Sequence, residues 1–488
     1  MQPSPAVPSG SPLSETNPHG RLRAFCERHY RLLAALTLTL AVLNLGTRLD
    51  REAVTAWDES LYATTAAEMV ASGDWLVTTF HGEVDYYNTK PPLNVWLIAT
   101  SFRIFGIDLW SLRLPSAIAA FLTILTLQWW CRRCFGALFA LLSTIVLSTT
   151  FSFLYVHAAR SGNPDAWLTL VVLLTVVTLW AARTAPARLA WLGPLAAAAF
   201  LLKGSAVLLP LLIVGCVLTI RGVRRAEAKA LSVAMLLFLI PTGSWAIARW
   251  RFDGWRFFDA MVNYDLVART LHYLEGHEHG VFYFLHVLQK DQYDWLATAV
   301  ILLVVMSVTR RNRSASLHVP FDRDMRWLLG IWAGATLLVP SVMATKLAWY
   351  LNPFYPVFAV GVTLVLTRAF DAFASDTQRR ERRLITSMVV LAFVVAEGKL
   401  IWYSIHQRDL SGSVQAFFIE SPEMVSGRKV LADTWDPADQ FVLEHIAGGT
   451  AVTGPLPSAT DGGAYDVLIL EASREGHWTL TNANAPLP

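Results

Sequence analysis

Residues 91–105, PPLNVWLIATSFRIF, decide how the rest of the chain is threaded. The run is apolar enough to suggest a membrane span, yet spanning takes roughly 17 to 25 such residues, somewhat fewer where protein covers a helix end. Counting it as a span would reverse the side of every later connection. Five short connections carry basic clusters: Arg132 and Arg133; Arg183 and Arg188; Arg221, Arg224, Arg225 and Lys229; Arg310, Arg311 and Arg313; Arg379, Arg380, Arg382 and Arg383. With 91–105 left out of the spans, all five fall on one side, which the positive-inside rule makes cytosolic. The segment is therefore read as lying in the interface, anchored by Trp96 and Arg103.

Eleven spans follow, beginning near Leu32, Leu114, Ala137, Ala166, Leu189, Ser205, Leu231, Trp295, Trp327, Leu347 and Leu384. Composition agrees. Across 488 residues, 54% are hydrophobic and 16% charged, and the mean hydropathy is +0.42. These values lie outside the soluble globular range and exclude disorder, a coiled coil, a secreted disulfide scaffold and a soluble dehydrogenase or kinase. A net charge of +3 is too small to argue for nucleic acid. Residues 1–20, rich in Pro, Ser and Gly, read as a disordered cytoplasmic tail. Arg21, Arg23, Arg28 and Arg31 then precede a long apolar stretch, the pattern of an uncleaved anchor. Cys26, Cys131, Cys134 and Cys216 fall in the cytosol or bilayer and read as reduced thiols, the CxxC of Cys131 and Cys134 included.

The same parity places the long connections, about 50–112 and 249–294, and the chain from 404 onward on the extracytoplasmic side. The catalytic membrane unit is thus expected over 21–403, with a small extracytoplasmic α/β domain over 404–488. In that domain Lys429–Ala432 and Tyr465–Leu470 read as strands around a helical DPADQFVLEHIAG. The ionisable groups near the spans also converge on the extracytoplasmic side: Asp58 and Glu59, Asp165, Lys203, Arg269, His277 and Lys346. Charge in hydrocarbon is costly, so such groups face one another, a cavity or water.

Asp58 and Glu59 open a stretch, WDESLYATTAAEMVASGDW, whose Tyr62, Ala66 and Met69 recur at helical spacing; a carboxylate suits that helix start. Asp165, in HAARSGNPDAW, carries the same signal. Each alone is an ordinary cap. Lys90, Lys203, Arg269 and Lys346 add an excess of cations, each individually explained by snorkelling, which together suit a phosphate. Tyr350, four residues beyond Lys346, is placed on the same helix face as a hydroxyl donor or a member of the aromatic belt. His277 and His279 have poor spacing for a helical metal site, so His277 is a weak candidate ligand and no metal is required. Asn352, Pro353 and Pro356 break the tenth span near the outer face, where broken helices line cavities.

The run Trp57–Phe105, with WDE, YATTAAEM, SGDW, KPPLNVW and SFRIFG, resembles the first external loop of the bacterial lipid-linked-sugar glycosyltransferases of GT-C fold. That group includes the lipid A aminoarabinose transferase and relatives of the protein O-mannosyltransferases. LLKGSAVLLP, LEGHEHGVFYF and TKLAWYLNPFYP follow in the family's order, so the resemblance covers roughly residues 32–365. It implies an all-α polytopic membrane protein whose donor is a polyprenyl phosphate sugar. Asp58 would be the main catalytic carboxylate, with Glu59 beside it and Asp165 as partner acid. Lys90, Lys203, Arg269, Tyr350 and Lys346 would hold the phosphate. Where the aminoarabinose transferases have a metal-sharing Glu before the KPP lysine, this chain has Thr89, which makes a divalent metal doubtful. The acceptor would be a hydroxyl or phosphate of a glycolipid, glycan or protein on the extracytoplasmic face of a bacterial inner membrane. A lipid-linked-sugar flippase or transporter is the alternative, disfavoured by charge at one face only and by the lack of a repeat between the halves.

Overall fold

The structure is a computed structural model that describes residues 18–272, 278–309, 322–373, 378–406, 410, 413–432, 434–453, 467–472 and 478–482. It is helical almost throughout. In chain order the helices are α1 (Pro18–Arg28), α2 (Tyr30–Gly46), α3 (Asp58–Ser72), α4 (Leu93–Phe105), α5 (Leu109–Phe135), α6 (Ala137–Ser148), α7 (Phe151–Tyr155), α8 (Asp165–Ala181), α9 (Leu192–Lys203) and α10 (Leu208–Arg221). They continue with α11 (Arg225–Asp253), α12 (Arg256–Ala260), α13 (Arg269–Leu271), α14 (Tyr283–Asp291), α15 (Tyr293–Thr309), α16 (Arg323–Val342), α17 (Tyr355–Ala372), α18 (Arg379–His406), α19 (Val414–Glu420) and α20 (Pro437–Phe441).

All eleven apolar segments read from the sequence are helical. By length and composition six helical stretches can cross a membrane, or eight if each of two bent pairs is one span; α6 and α8 are shorter apolar helices. One of the six is in fact a hairpin. Helix runs from Pro186 to Arg221 without a loop, but Gly204 sits at φ +48°. Arg188, near the start, donates to the Ala181 carbonyl (3.2 Å), while Arg221, at the end, pairs with Glu227, whose other partner Arg224 donates to the Ala182 carbonyl. Both ends therefore meet at the end of α8, and α9 and α10 run in opposite directions. Small residues let the helices approach: a Cβ on Gly193 of α9 would stand 2.1 Å from the Ala234 carbonyl of α11, so only glycine fits.

Two apolar clusters organise the molecule. The larger fills the bundle, with Trp130, Trp332, Phe153 and Tyr355 at its centre. The other joins α3 and α4 to the C-terminal residues, where Phe102 of α4 stacks on Phe441 at a centroid distance of 6.4 Å. Helix α4, the segment that decided the threading, thus belongs chiefly to the layer outside the bundle core. Its 13 residues measure about 20 Å, short of a bilayer. The C-terminal residues form a sheet of β3 (Lys429–Ala432), β4 (Thr450–Thr453), β5 (Val467–Ala472) and β6 (Trp478–Asn482), numbered after the hairpin strands β1 (Thr79–Phe80) and β2 (Glu83–Val84). The order is β4-β3-β5-β6, parallel except for β6.

The face opposite α3 holds the basic residues, where many are paired: Arg23 with Asp371, Arg132 with Glu27, Arg183 with Asp322. Arg310, Arg311, Arg313 and the tail 1–17 lie outside the described residues.

Candidate active site

Two buried arginines shape the connection from α2 to α3. Arg160, beyond α7, bonds Glu52 Oε1 through Nε (2.7 Å) and donates to the carbonyls of Asn44, Leu45 and Thr47, satisfying the end of α2. Arg113, on α5, bonds Glu59 Oε1 through Nε (2.9 Å) and donates to the carbonyls of Leu49, Glu52 and Ala53. Glu59 also accepts from the amides of Thr55 (2.9 Å) and Gly162 (3.0 Å). Pinned this way, the chain reaches Trp57 in the left-handed region (φ +69°), a conformation that costs a bulky residue about 1–3 kcal/mol and that the surroundings must impose. The turn leaves Asp58 as the first residue of α3.

From there Asp58 lines a cavity of about 300 Å³. Lys90 arrives from the segment after β2, where Asp85 accepts from the amides of Tyr87 and Asn88 and Asn88 Oδ1 accepts from Lys90 Nζ (3.1 Å). Its ammonium lies 3.6 Å from Asp58 Oδ1 and 5.4 Å from the Tyr62 ring centre. Burial holds the Tyr62 hydroxyl well above its usual pKa, so it stays protonated. On the other side Lys203, the last residue of α9, donates to Asp165 Oδ1 at 2.7 Å and stands 5.5 Å from the Tyr350 ring centre. The Lys203–Asp165 pair is largely withdrawn from solvent and the Lys90–Asp58 pair partly so, which makes the field of the former the less screened of the two. Leu168, Leu208, Leu209, Val339, Met343 and Leu347 make an apolar wall leading away from these charges.

Asp58, Asp165, Lys90, Lys203 and Tyr350, separated by almost 300 residues, thus share one cavity. Glu59 does not. It is fully buried against Arg113, turned about 100° from Asp58 at the helix start, so it does not face the cavity as the expected catalytic role would require. Lys346 is also displaced: its ammonium donates to the Met343 carbonyl (2.6 Å) and does not line the cavity. The reason is local. Residue 345 bridges to Glu278, Lys346 is non-helical, and the 3-10 turn begins only at Ala348, so Lys346 and Tyr350 do not share a helix face. Arg269 opens α13, beside the cavity-lining Leu266 and Thr270; its side chain, and His277 entirely, lie outside the described residues. Thr89 is buried next to Lys90. Among the described residues no group of three or more His, Cys, Asp or Glu could hold a metal.

Sequence reasoning passed over His157 and Trp349. They stack with centroids 3.7 Å apart, and His157 Nδ1 lies 3.9 Å from Asp58 Oδ2. Burial lowers the histidine pKa, with the Asp58 carboxylate opposing it. Position 157 gives no local signal, because it reaches Asp58 through a fold in the chain.

Two carboxylates and two lysines thus meet beside an apolar wall in one cavity. The chain has the GT-C fold. Over 84% of both chains it superposes on an ArnT structure from Cupriavidus metallidurans bound to undecaprenyl phosphate, with a TM-score of 0.65 and 19% identity. An oligosaccharyltransferase from Archaeoglobus fulgidus aligns over 88% of this chain and 65% of its own, with a TM-score of 0.54 and 12% identity. In sequence, residues 89–245 match the family model for dolichyl-phosphate-mannose-protein mannosyltransferases. An undecaprenyl phosphate-alpha-4-amino-4-deoxy-L-arabinose arabinosyl transferase of Pseudomonas fluorescens is 35% identical over 188 residues, 37% of this chain and 32% of that protein. Another from the same species is 28% identical over 334 residues, 65% and 57% of the two chains. The chain spans less than two thirds of the length of the curated relatives it matches. By sequence and fold alike, then, this is a multi-pass membrane protein similar to the polyprenyl-phosphate-sugar glycosyltransferases.

Proposed function

We propose that the chain is an integral membrane glycosyltransferase that moves a sugar from a polyprenyl phosphate to a hydroxyl or phosphate acceptor of a glycolipid, glycan or protein. The observation that carries this reading is the single cavity in which Asp58, Lys90, Asp165 and Lys203 meet the apolar wall of α10 and α16. The reaction takes place on the face bearing Asp58, the extracytoplasmic face of the bacterial inner membrane, with the N-terminus in the cytosol. Residues 404–488 form a small domain on the same side.

In this reaction the leaving group is a phosphate, and charge grows on it as the anomeric C–O bond breaks. Lys90 and Lys203, fixed in a poorly hydrated site, stabilise that charge without reorganising; Arg269 and the Tyr350 hydroxyl complete the phosphate site. Asp165 holds Lys203 in place through the 2.7 Å bond. Asp58 takes the proton of the attacking hydroxyl, a contribution typically of about 10²- to 10⁴-fold. Attack on the face opposite the phosphate inverts the anomeric centre. With the lysines carrying the charge, no metal is required.

The test is mass spectrometry of lipids copurifying with the wild type and with Lys90→Ala and Arg269→Ala variants. A polyprenyl phosphate, or its sugar ester, is expected on the wild type and depleted from both variants. Lack of any such lipid, with none bound on addition, would overturn the donor assignment. Transport of a lipid-linked sugar between leaflets without transfer would put the flippase in its place.

A further inference from the structure

His157 stands beside the proposed base without a role in the reaction as derived so far. Its backbone is in the left-handed region (φ +52°), uncommon for a residue other than glycine, so the surrounding structure has to hold it there. Two contacts do so. The ring stacks on Trp349 with planes 11° apart, and Asn352 Nδ2 donates to the Val156 carbonyl at 3.0 Å, tying this loop to the broken start of the tenth span. Nδ1 is shielded from solvent and has no hydrogen-bond partner among the described residues. It points along a 3.9 Å approach to Asp58 Oδ2, while Lys90 stands 3.6 Å from Oδ1.

Building on the transferase reading, we infer that His157 is a positioning residue for Asp58, its Nδ1–H holding Oδ2 when substrates close the site so that Oδ1 is aimed at the acceptor hydroxyl. A shortening of roughly 1 Å makes the contact a hydrogen bond, and such bonds are often long before substrate binds. The stacked Trp349 fixes the plane of the imidazole, so the donor is already aligned. In the step itself the acceptor O–H proton passes to Asp58 Oδ1, the new bond to the anomeric carbon forms, and the electron pair of the broken C–O bond leaves with the phosphate. His157 keeps its proton throughout.

The charged groups facing the ring are Asp58 and Glu59 of α3, Asp165 of α8 and Lys203 of α9. Burial outweighs the three carboxylates and keeps the imidazole neutral near pH 7. Adding a second proton would turn the contact into an ion pair, make Asp58 a weaker base and slow turnover at low pH.

The test is the pH dependence of kcat and KM in full-length protein for wild type, His157→Asn, His157→Ala and Asp58→Asn. Asparagine tolerates the left-handed backbone and places an amide N–H near the position of Nδ1, without titrating. We expect His157→Asn to keep kcat within about 10-fold, with KM and copurified lipid unchanged, and to lose the part of the acid limb set by the histidine, leaving a single inflection set by Asp58. His157→Ala should lose a further 10-fold or more in kcat with little change in KM. A His157→Asn enzyme with the wild-type pH profile, or a His157→Ala enzyme with wild-type kcat, would overturn the inference; should alanine not fold, the asparagine profile decides alone. Full turnover by Asp58→Asn would instead sink the base assignment itself, a result distinguishable from failure at His157 alone.

Discussion

Glu59 and Arg113 form a fully buried ion pair, Nε to Oε1 at 2.9 Å, and through it the start of α3 is locked to α5 and to the loop before α8. The pair lies one residue from Asp58 but belongs to the scaffold. Removing one partner strands the other charge, at a cost of about 3–5 kcal/mol. Arg113→Met should therefore lower the thermal midpoint in detergent sharply. Combining it with Glu59→Gln should restore part of the loss, because the stranded carboxylate is gone while the carbonyls of Leu49, Glu52 and Ala53 still lack their donor. A double variant less stable than either single one would contradict this account.

Asp58→Asn removes the proton acceptor but keeps the size and helix-start position of the side chain. Transfer to acceptor is expected to fall by about 10²- to 10⁴-fold with the fold intact by circular dichroism. Binding of the lipid donor should survive.

Lys203 and Asp165 should separate differently. In Lys203→Ala the phosphate loses a donor and Asp165, nearly buried, is left without its ammonium partner. Donor affinity is expected to drop by at least 10-fold, with a lower melting temperature. Asp165→Asn keeps an oxygen that can accept from Lys203 while removing the carboxylate charge, so it should lose less donor affinity, which isothermal titration or lipid retention would measure.

Metal removal tests whether the site needs a cation beyond its lysines. With Lys90 and Lys203 supplying the positive charge, turnover after extended EDTA treatment and gel filtration should match that of untreated protein. Loss of activity restored by one divalent cation would return His277 to consideration.

His445 gives a stability test away from the membrane. Burial lowers its pKa below the ordinary value of 6.5, against the opposing pull of Glu444 and Glu68, with His81 adding to the lowering. The unfolded chain therefore binds more protons between pH 6.5 and the lower folded value, so stability rises with pH across that window and is lost beneath it. The melting temperature should fall between pH 7.5 and 5.5, and by less in His445→Gln. His157 acts with the same sign and is unchanged in that comparison.

Hydropathy and charge were enough to place the helices, because a bilayer demands long apolar segments and the side of each Arg cluster fixes parity. They also placed Asp58, Asp165, Lys90, Lys203 and Tyr350 near one face, since charge is expelled from hydrocarbon wherever it is unpaired. What sequence could not carry is direction. Asp58 and Glu59 are neighbours and look equivalent, yet successive helix residues point about 100° apart, and only the buried Arg113 decides which carboxylate faces the cavity. Lys346 looked helical by spacing to Tyr350, but a bridge between distant chain segments straightened it. His157 carried no signal at all, since its meeting with Asp58 and Trp349 is made by contacts across 99 and 192 positions of chain. Solvent preference is a property of each segment and is written in its residues; the aim of a side chain is set by whatever packs behind it, and that is written in the fold.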